Sequence, residues 1–293
     1  MKLTSVFSSR NLSEKWWVWA LPGIIVLSVL YLWPLVSVIR YSFTDALLAD
    51  PSYSYTAGSY RYVFSSSDFW YSMKVTFIFV GGSVAFQLLL GLITALLVNK
   101  ELFGAFFVKL GMISAWAVPG IITGVVWQII YSESSWGILN YLTRLMGLGK
   151  IPFLSSPGWA LFSVTLANIW RGTGFSGILQ YAGLRSIPEQ LYEAAKVDGA
   201  SGWQQFKYIT LPQLRPVLLI NVVLITIYTF NTYDLIFSLT KGGPGGTTSV
   251  IALQSYKETF RLMDLGAGSV YAVLMFCLSL IFTFIYYQLI GRR

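Results

Sequence analysis

Six apolar runs dominate this chain, at Trp17–Val38, Val75–Val98, Leu110–Ile130, Trp159–Leu179, Val217–Leu239 and Ser269–Ile290. Each is long enough to cross a hydrocarbon core of about 30 Å as a helix. Inside such a core no water is present to bond a free N–H or C=O, so a spanning segment must be a helix or part of a closed barrel. Barrel strands are about 10 residues long and alternate in polarity. These runs are continuous and are separated by charged and Gly-, Ser- and Pro-rich loops. The expected fold class is therefore all-α: a polytopic membrane protein of six transmembrane helices, forming one domain over residues 1–293. Composition agrees, with 55% hydrophobic and 11% charged residues and a mean hydropathy of +0.64. The first run follows Lys2, Arg10 and Lys15, but it is too long for a leader, contains Pro34 and bulky aromatics, and has no small-residue cleavage site after it.

With the N-terminus in the cytoplasm, eleven of the twenty Lys and Arg residues fall inside and eight outside, and Arg171 lies within a span. That bias predicts cytoplasmic N- and C-termini. The net charge of +8 requires no nucleic acid, because bases commonly sit beside anionic lipid headgroups.

The chain has no histidine, which removes His-based zinc sites and His-dependent general bases. Neither a metal site nor a catalytic residue is predicted. The single cysteine, Cys277, cannot form an internal disulfide and is expected to pack within the sixth span. The Gly242–Thr248 run lacks the lysine and the preceding strand of a phosphate-binding loop, so it reads as a tight outer turn and the chain carries no nucleotide cofactor of its own. An intramembrane enzyme without His would need a Ser–Lys or paired-Asp site, and no lysine or second aspartate lies deep in a span.

Residues 186–212 interrupt this apolar pattern with a polar hairpin, Glu193-Ala194-Ala195-Lys196-Val197-Asp198-Gly199-Ala200 followed by Ile209-Thr210-Leu211-Pro212. Ser186 precedes Glu189 by three positions, with Pro188 between them, which predicts a capping box opening a short helix. Gly199 should end that helix, because it takes the left-handed conformation at little cost. Ser201 and Gln204 repeat the cap for a second short helix, which Pro212 should end or bend. Leu191, Ala194 and Ala195 share one face at helical spacing, a ridge suited to a groove on another protein. A helix lying on the membrane surface is the competing reading.

The spacing Glu-Ala-Ala, three residues, Gly, nine residues, Ile-x-Leu-Pro resembles the cytoplasmic loop of ATP-binding-cassette importer permeases. Leu21-Pro22-Gly23, Trp33-Pro34, Asn168-Ile169-Trp170, Gly183–Pro188 and Leu239–Pro244 are also similar to the carbohydrate permeases of the maltose and glycerol-3-phosphate type. The resemblance implies the type I importer permease fold and a role as transmembrane subunit, moving a carbohydrate across a bacterial or archaeal cytoplasmic (inner) membrane. It implies as partners a second homologous permease, two ATPase subunits that carry the ATP and Mg, and a periplasmic or extracellular solute-binding protein. Glu193, Ala194, Ala195, Asp198 and Gly199 would then couple the chain to an ATPase. A stand-alone secondary transporter or channel is the alternative, with Arg171 and Asp234 as a midplane site.

Charges within spans cost about 2.5–3.5 kcal/mol each on insertion scales, so those present call for a reason. Arg171 lies near the middle of the fourth run and Asp234 in the outer part of the fifth. Asn221, Ile225, Tyr228 and Thr232 share one face of the fifth run, flanked by Thr229 and Asn231, which suggests the wall of a cavity. Carried over from the resemblance, the substrate pathway would comprise Asn168, Trp170, Arg171, Gly172 and Phe175 with Ile225, Tyr228, Thr229 and Thr232. Arg171 stands where the maltose transporter has an apolar residue. A guanidinium suits a carboxylate or phosphate, so an acidic oligosaccharide such as an alginate-like uronate, or a phosphorylated polyol, is one expectation. A structural role is the other, with Arg171 pairing with Asp234 or capping carbonyls of a neighbouring span.

Overall fold

A computed structural model describes residues 16–291, apart from Pro51, Leu102 and Ser135. The expectations for Lys2, Arg10, Lys15, Arg292 and Arg293 lie outside the described residues. α1 (Trp16–Leu27) passes through a wide π-helical turn, Ser28–Leu32, into α2 (Trp33–Ser42). There follow α3 (Gly58–Ser65), α4 (Ser67–Asn99), α5 (Ala105–Ala117), α6 (Gly120–Ile130), α7 (Ile138–Leu145) and α8 (Pro157–Arg185). The chain ends with α9 (Glu189–Val197), α10 (Gly202–Gln205), α11 (Leu211–Phe230), α12 (Asp234–Leu239), α13 (Ile251–Tyr256) and α14 (Leu265–Tyr286). Local chemistry marks the starts of two long helices: Ser66 accepts from the Asp68 amide before α4, and Asp264 accepts from the Ala267 amide at 2.7 Å before α14.

Four helical segments are long and apolar enough to span, namely Trp19–Ser42, Ser67–Asn99, Gly202–Phe230 and Leu265–Ile290. α8 is as long, at 29 residues, but carries Asn168 and Arg171 along with several Ser and Thr. The α5–α6 pair supplies the sixth candidate crossing, bent by 110° at Val118-Pro119. The third run is therefore broken where an unbroken span was expected. Pro119 has no N–H to continue the ladder, and it drives Val118 into an extended conformation (φ −72°, ψ 126°).

The fifth run also departs from expectation. α11 stops at Phe230, and Asn231–Tyr233 separate it from α12, so Asp234 opens a new short helix. At its other end the helix begins far earlier than expected. α10 continues through a π-helical turn, Phe206–Thr210, into α11, so Pro212 neither ends nor sharply bends it. The π turn shifts the hydrogen-bond register just before Pro212, where the Leu211 amide bonds the Phe206 carbonyl, and the ring is accommodated.

The pair α4 and α8 forms the centre of the bundle, with α5 and α11 packed against both and α14 packed on α11 and α2. Hydrophobic burial does not drive helices together in lipid, so close packing and interhelical hydrogen bonds matter, at about 0.6 kcal/mol per polar bond on average. Three such bonds run along α8. Gln87 Nε2 donates to the Asn168 carbonyl at 3.1 Å, Ser176 Oγ to Asn221 Oδ1 at 3.2 Å, and Gln180 Nε2 to the Leu88 carbonyl at 3.1 Å. Asn221, expected on the cavity wall, is thus fully buried in this seam. Cys277, expected to pack, lies exposed on the outer surface of α14.

Candidate functional site

The breaks in the third and fifth runs lie beside the same cavity, of about 520 Å³. Trp116 and Ile121, on either side of the Val118-Pro119 break, line it together with Asn231–Asp234 from the other break. Non-helical backbone at membrane depth is tolerated where it is buried in protein or lines a cavity, which is the position of both interruptions. α6 and α12 are held together by small residues. A β-carbon at Gly120 would run into the Asp234 carboxylate, and one at Gly124 into the Ser238 hydroxyl.

The lining brings together every residue of the predicted pathway except Trp170: Asn168, Arg171, Gly172, Phe175, Ile225, Tyr228, Thr229 and Thr232. Trp170 is 44% exposed and meets Trp127 edge-on, at 6.0 Å between ring centroids. One residue along a helix turns a side chain by about 100°, which takes Trp170 off the face that Asn168, Arg171 and Gly172 share.

Aromatic rings form one wall. Phe175 meets Tyr228 at right angles, 5.7 Å between centroids, and packs on Trp116 at 5.8 Å. Polar groups line the cavity as well. Gln87, only 2% exposed, crosses from α4 to the Asn168 carbonyl, and it fits because Gly172 has no side chain to block it. The Asn168 Nδ2 is buried without a hydrogen-bond partner. Arg171 and Asp234 both line the cavity, and no ion pair joins them. Their expected structural pairing is therefore absent among the described residues.

Gln87 and Trp116 were missed in the sequence. A lone amide inside the second run was a usable signal, as was Pro119 inside the third. Asn231 and Asp234, polar positions of the fifth run that lie outside the predicted pathway, also line the cavity.

The hairpin lies at the far end of α8 and α11. Ser186 does not cap α9. It still belongs to the closing turn of α8, its hydroxyl donates back to the Gly183 carbonyl at 2.7 Å, and Pro188 takes the cap position. The second capping box forms as expected: the Gln204 side chain accepts from the Ser201 amide at 2.7 Å, and the Ser201 hydroxyl accepts from the Gln204 amide. Gly199 has φ +79°, with its amide bonded to the Lys196 carbonyl and that of Ala200 to the Ala195 carbonyl, the paired bonds of a glycine-terminated helix. Glu193, Ala194, Asp198 and Gly199 are exposed, whereas Ala195 turns half-buried beside Tyr192. The outward face thus carries Leu191, Ala194 and Val197.

A family model described as "Binding-protein-dependent transport system inner membrane component" matches residues 87–293. The chain is 40% identical over 234 residues to the trehalose/maltose transport system permease protein MalF of Thermococcus litoralis, covering 80% of this chain and 78% of that one. It is 32% identical over 274 residues to the sulfoquinovosyl glycerol transport system permease protein SmoG of Agrobacterium fabrum, covering 93% and 89%. Its fold is similar to a chain of the bacterial alginate ABC transporter solved with an alginate pentasaccharide-bound periplasmic protein, with a TM-score of 0.80 at 22% identity over 95% of each chain.

Proposed function

The chain belongs to the family of binding-protein-dependent transport system inner membrane components, and we propose that it is the permease subunit through which a carbohydrate enters the cell, driven by ATP hydrolysis on partner subunits. It is a transport subunit of the membrane and not an enzyme. The observation that carries the reading is the cavity between the two broken helices. Its aromatic wall can stack on the apolar faces of sugar rings, while Arg171, Asp234, Thr229 and Thr232 can pair hydroxyls. The trehalose/maltose relative supports a sugar as cargo.

The lining holds one guanidinium and one carboxylate, so net charge gives an anion no advantage. A neutral oligosaccharide whose hydroxyls donate to Asp234 and accept from Arg171 is the reading favoured by that pair. An acidic oligosaccharide is the second reading, favoured by an Arg171 that has no carboxylate partner among the described residues. The rest of the assembly follows the family: a second permease, two ATPases seated against the 186–212 hairpin, and an external solute-binding protein. The hairpin and both termini face the cytoplasm. The residues of the first span from Leu21 to Trp33 are exposed or at most half-buried, as they would be if the second permease and lipid supply their contacts.

The test is ATP hydrolysis by the purified complex in lipid, with its binding protein and a panel of neutral and uronic oligosaccharides. Stimulation by neutral sugars supports the first reading, and stimulation confined to uronic sugars supports the second. Transport without any copurifying ATPase would instead establish a stand-alone carrier.

A further inference from the structure

α9 projects from the body of the protein. It packs extensively on no other helix, and all its residues except Tyr192 and Ala195 are exposed. Among the described residues, its one side-chain hydrogen bond joins the Tyr192 hydroxyl to the Thr210 hydroxyl at 2.9 Å. Thr210 is 5% exposed and is the last residue of the π-helical turn Phe206–Thr210. Beyond that turn the helix runs without a break to Phe230, and Ile225, Tyr228 and Thr229 near its far end line the cavity. From Gly202 to Phe230 this is a rod of 29 residues, about 42 Å long.

We propose that the Tyr192–Thr210 hydrogen bond is the strut by which movement of α9 is passed into the α10–α11 rod and so to the cavity wall, making Tyr192 and Thr210 positioning residues for transport. This rests on the reading of the 186–212 hairpin as the ATPase contact. The bond has a mechanical reason. At its C-terminal end α9 joins the rod through the Gly199 turn, and the hydroxyl pair fixes a second point on the same rod. A lever needs two fixed points to transmit a tilt. The π turn, an interruption of the α-helical hydrogen-bond register, is where a helix lacking that second point would absorb the movement.

The test uses the whole complex in proteoliposomes and measures sugar transported per ATP hydrolysed, in wild type, Tyr192→Phe, Thr210→Val, the double variant and Thr210→Ser. Loss of one such bond is expected to lower the ratio by about 3- to 10-fold in each single variant. The double variant should be no worse than either single one, because both remove the same bond, and Thr210→Ser, which keeps the hydroxyl, should restore the ratio. ATPase copurification should be unchanged in all of them. Ratios at the wild-type level in the single variants, or losses that multiply in the double, would overturn the strut while leaving ATP-driven transport intact. A wild-type complex that moves sugar without ATP would overturn the underlying reading and the strut with it.

Discussion

The Asp234 carboxylate lies against the α-carbon of Gly120, in the space a β-carbon would take, and one turn further on Ser238 meets Gly124 in the same way. Two half-helices from distant parts of the sequence are thereby locked together beside the cavity. The carboxylate also sits over the first turn of α6, where the partial positive charge of a helix start favours an anion.

Gly120→Ala and Gly124→Ala should each overpack this contact, at about 1–3 kcal/mol. The expected result is a lower thermal unfolding midpoint in detergent and reduced transport. Gly111→Ala, where a β-carbon meets nothing within 4 Å, is the matched control and should be silent or slightly stabilising. Equal midpoints in all three variants would show that the α6–α12 contact is not tight.

Substitution at Gly199 should act through the backbone. A β-carbon there meets nothing within 4 Å, but φ is +79°, a conformation that costs an ordinary L-residue about 1–2 kcal/mol. Substrate-stimulated ATP hydrolysis should fall in the order glycine, Gly199→Asn, Gly199→Ala, Gly199→Val, since Asn tolerates the left-handed region and a β-branched residue does not. A Gly199→Val complex that couples as well as wild type would remove the conformational argument.

Arg171→Leu and Asp234→Asn separate the two cargo readings. Hydrogen bonds to charged groups contribute about 1.5–3 kcal/mol, or roughly 10- to 100-fold in affinity. If both side chains hold hydroxyls of a neutral sugar, each variant should raise the KM for neutral cargo by about that factor. If Arg171 reads a carboxylate, Arg171→Leu should impair uronic cargo selectively. Transport kinetics with paired neutral and uronic substrates checks this.

Glu258 lines a second cavity, of about 480 Å³, with Asp68, Lys257 and Arg261. Partial burial, with Asp264 and Asp68 adding to it, raises its pKa above the ordinary carboxylate value, while burial and Arg261 lower that of Lys257. An acid whose folded-state pKa is raised destabilises the fold once it ionises. The penalty is absent below its unfolded pKa, develops between the unfolded and folded values, and is complete above the folded one. Glu258→Gln should therefore raise the unfolding midpoint at neutral pH and leave it unchanged at pH values below the ordinary carboxylate range. An equal shift at both pH values would show that electrostatics is not the cause.

Much of this molecule was legible in the sequence because lipid imposes simple rules. Run length gave the candidate crossings, and the fixed spacing from Glu193 to Pro212 located the hairpin. Helical spacing places Ile225, Tyr228 and Thr232 on one face of the fifth run, and that face lines the cavity, whereas Asn168, Arg171 and Phe175 join them in the expectation only through the resemblance to maltose-type permeases. Trp170 and Asn221 were misplaced because a neighbouring position, or a partner such as Ser176, redirects a side chain that residue type alone cannot place.

Hydropathy and backbone hydrogen bonding act locally along the chain, so residue order alone places it in the membrane as crossing helices with one polar hairpin. That the breaks at Pro119 and Asn231 meet at one cavity, that Gln87 reaches Asn168 and that Tyr192 is tied to Thr210 emerges from the packed bundle. Those relations depend on which helices are neighbours and how closely they approach, and contacts between residues far apart in sequence exist only once the bundle has packed.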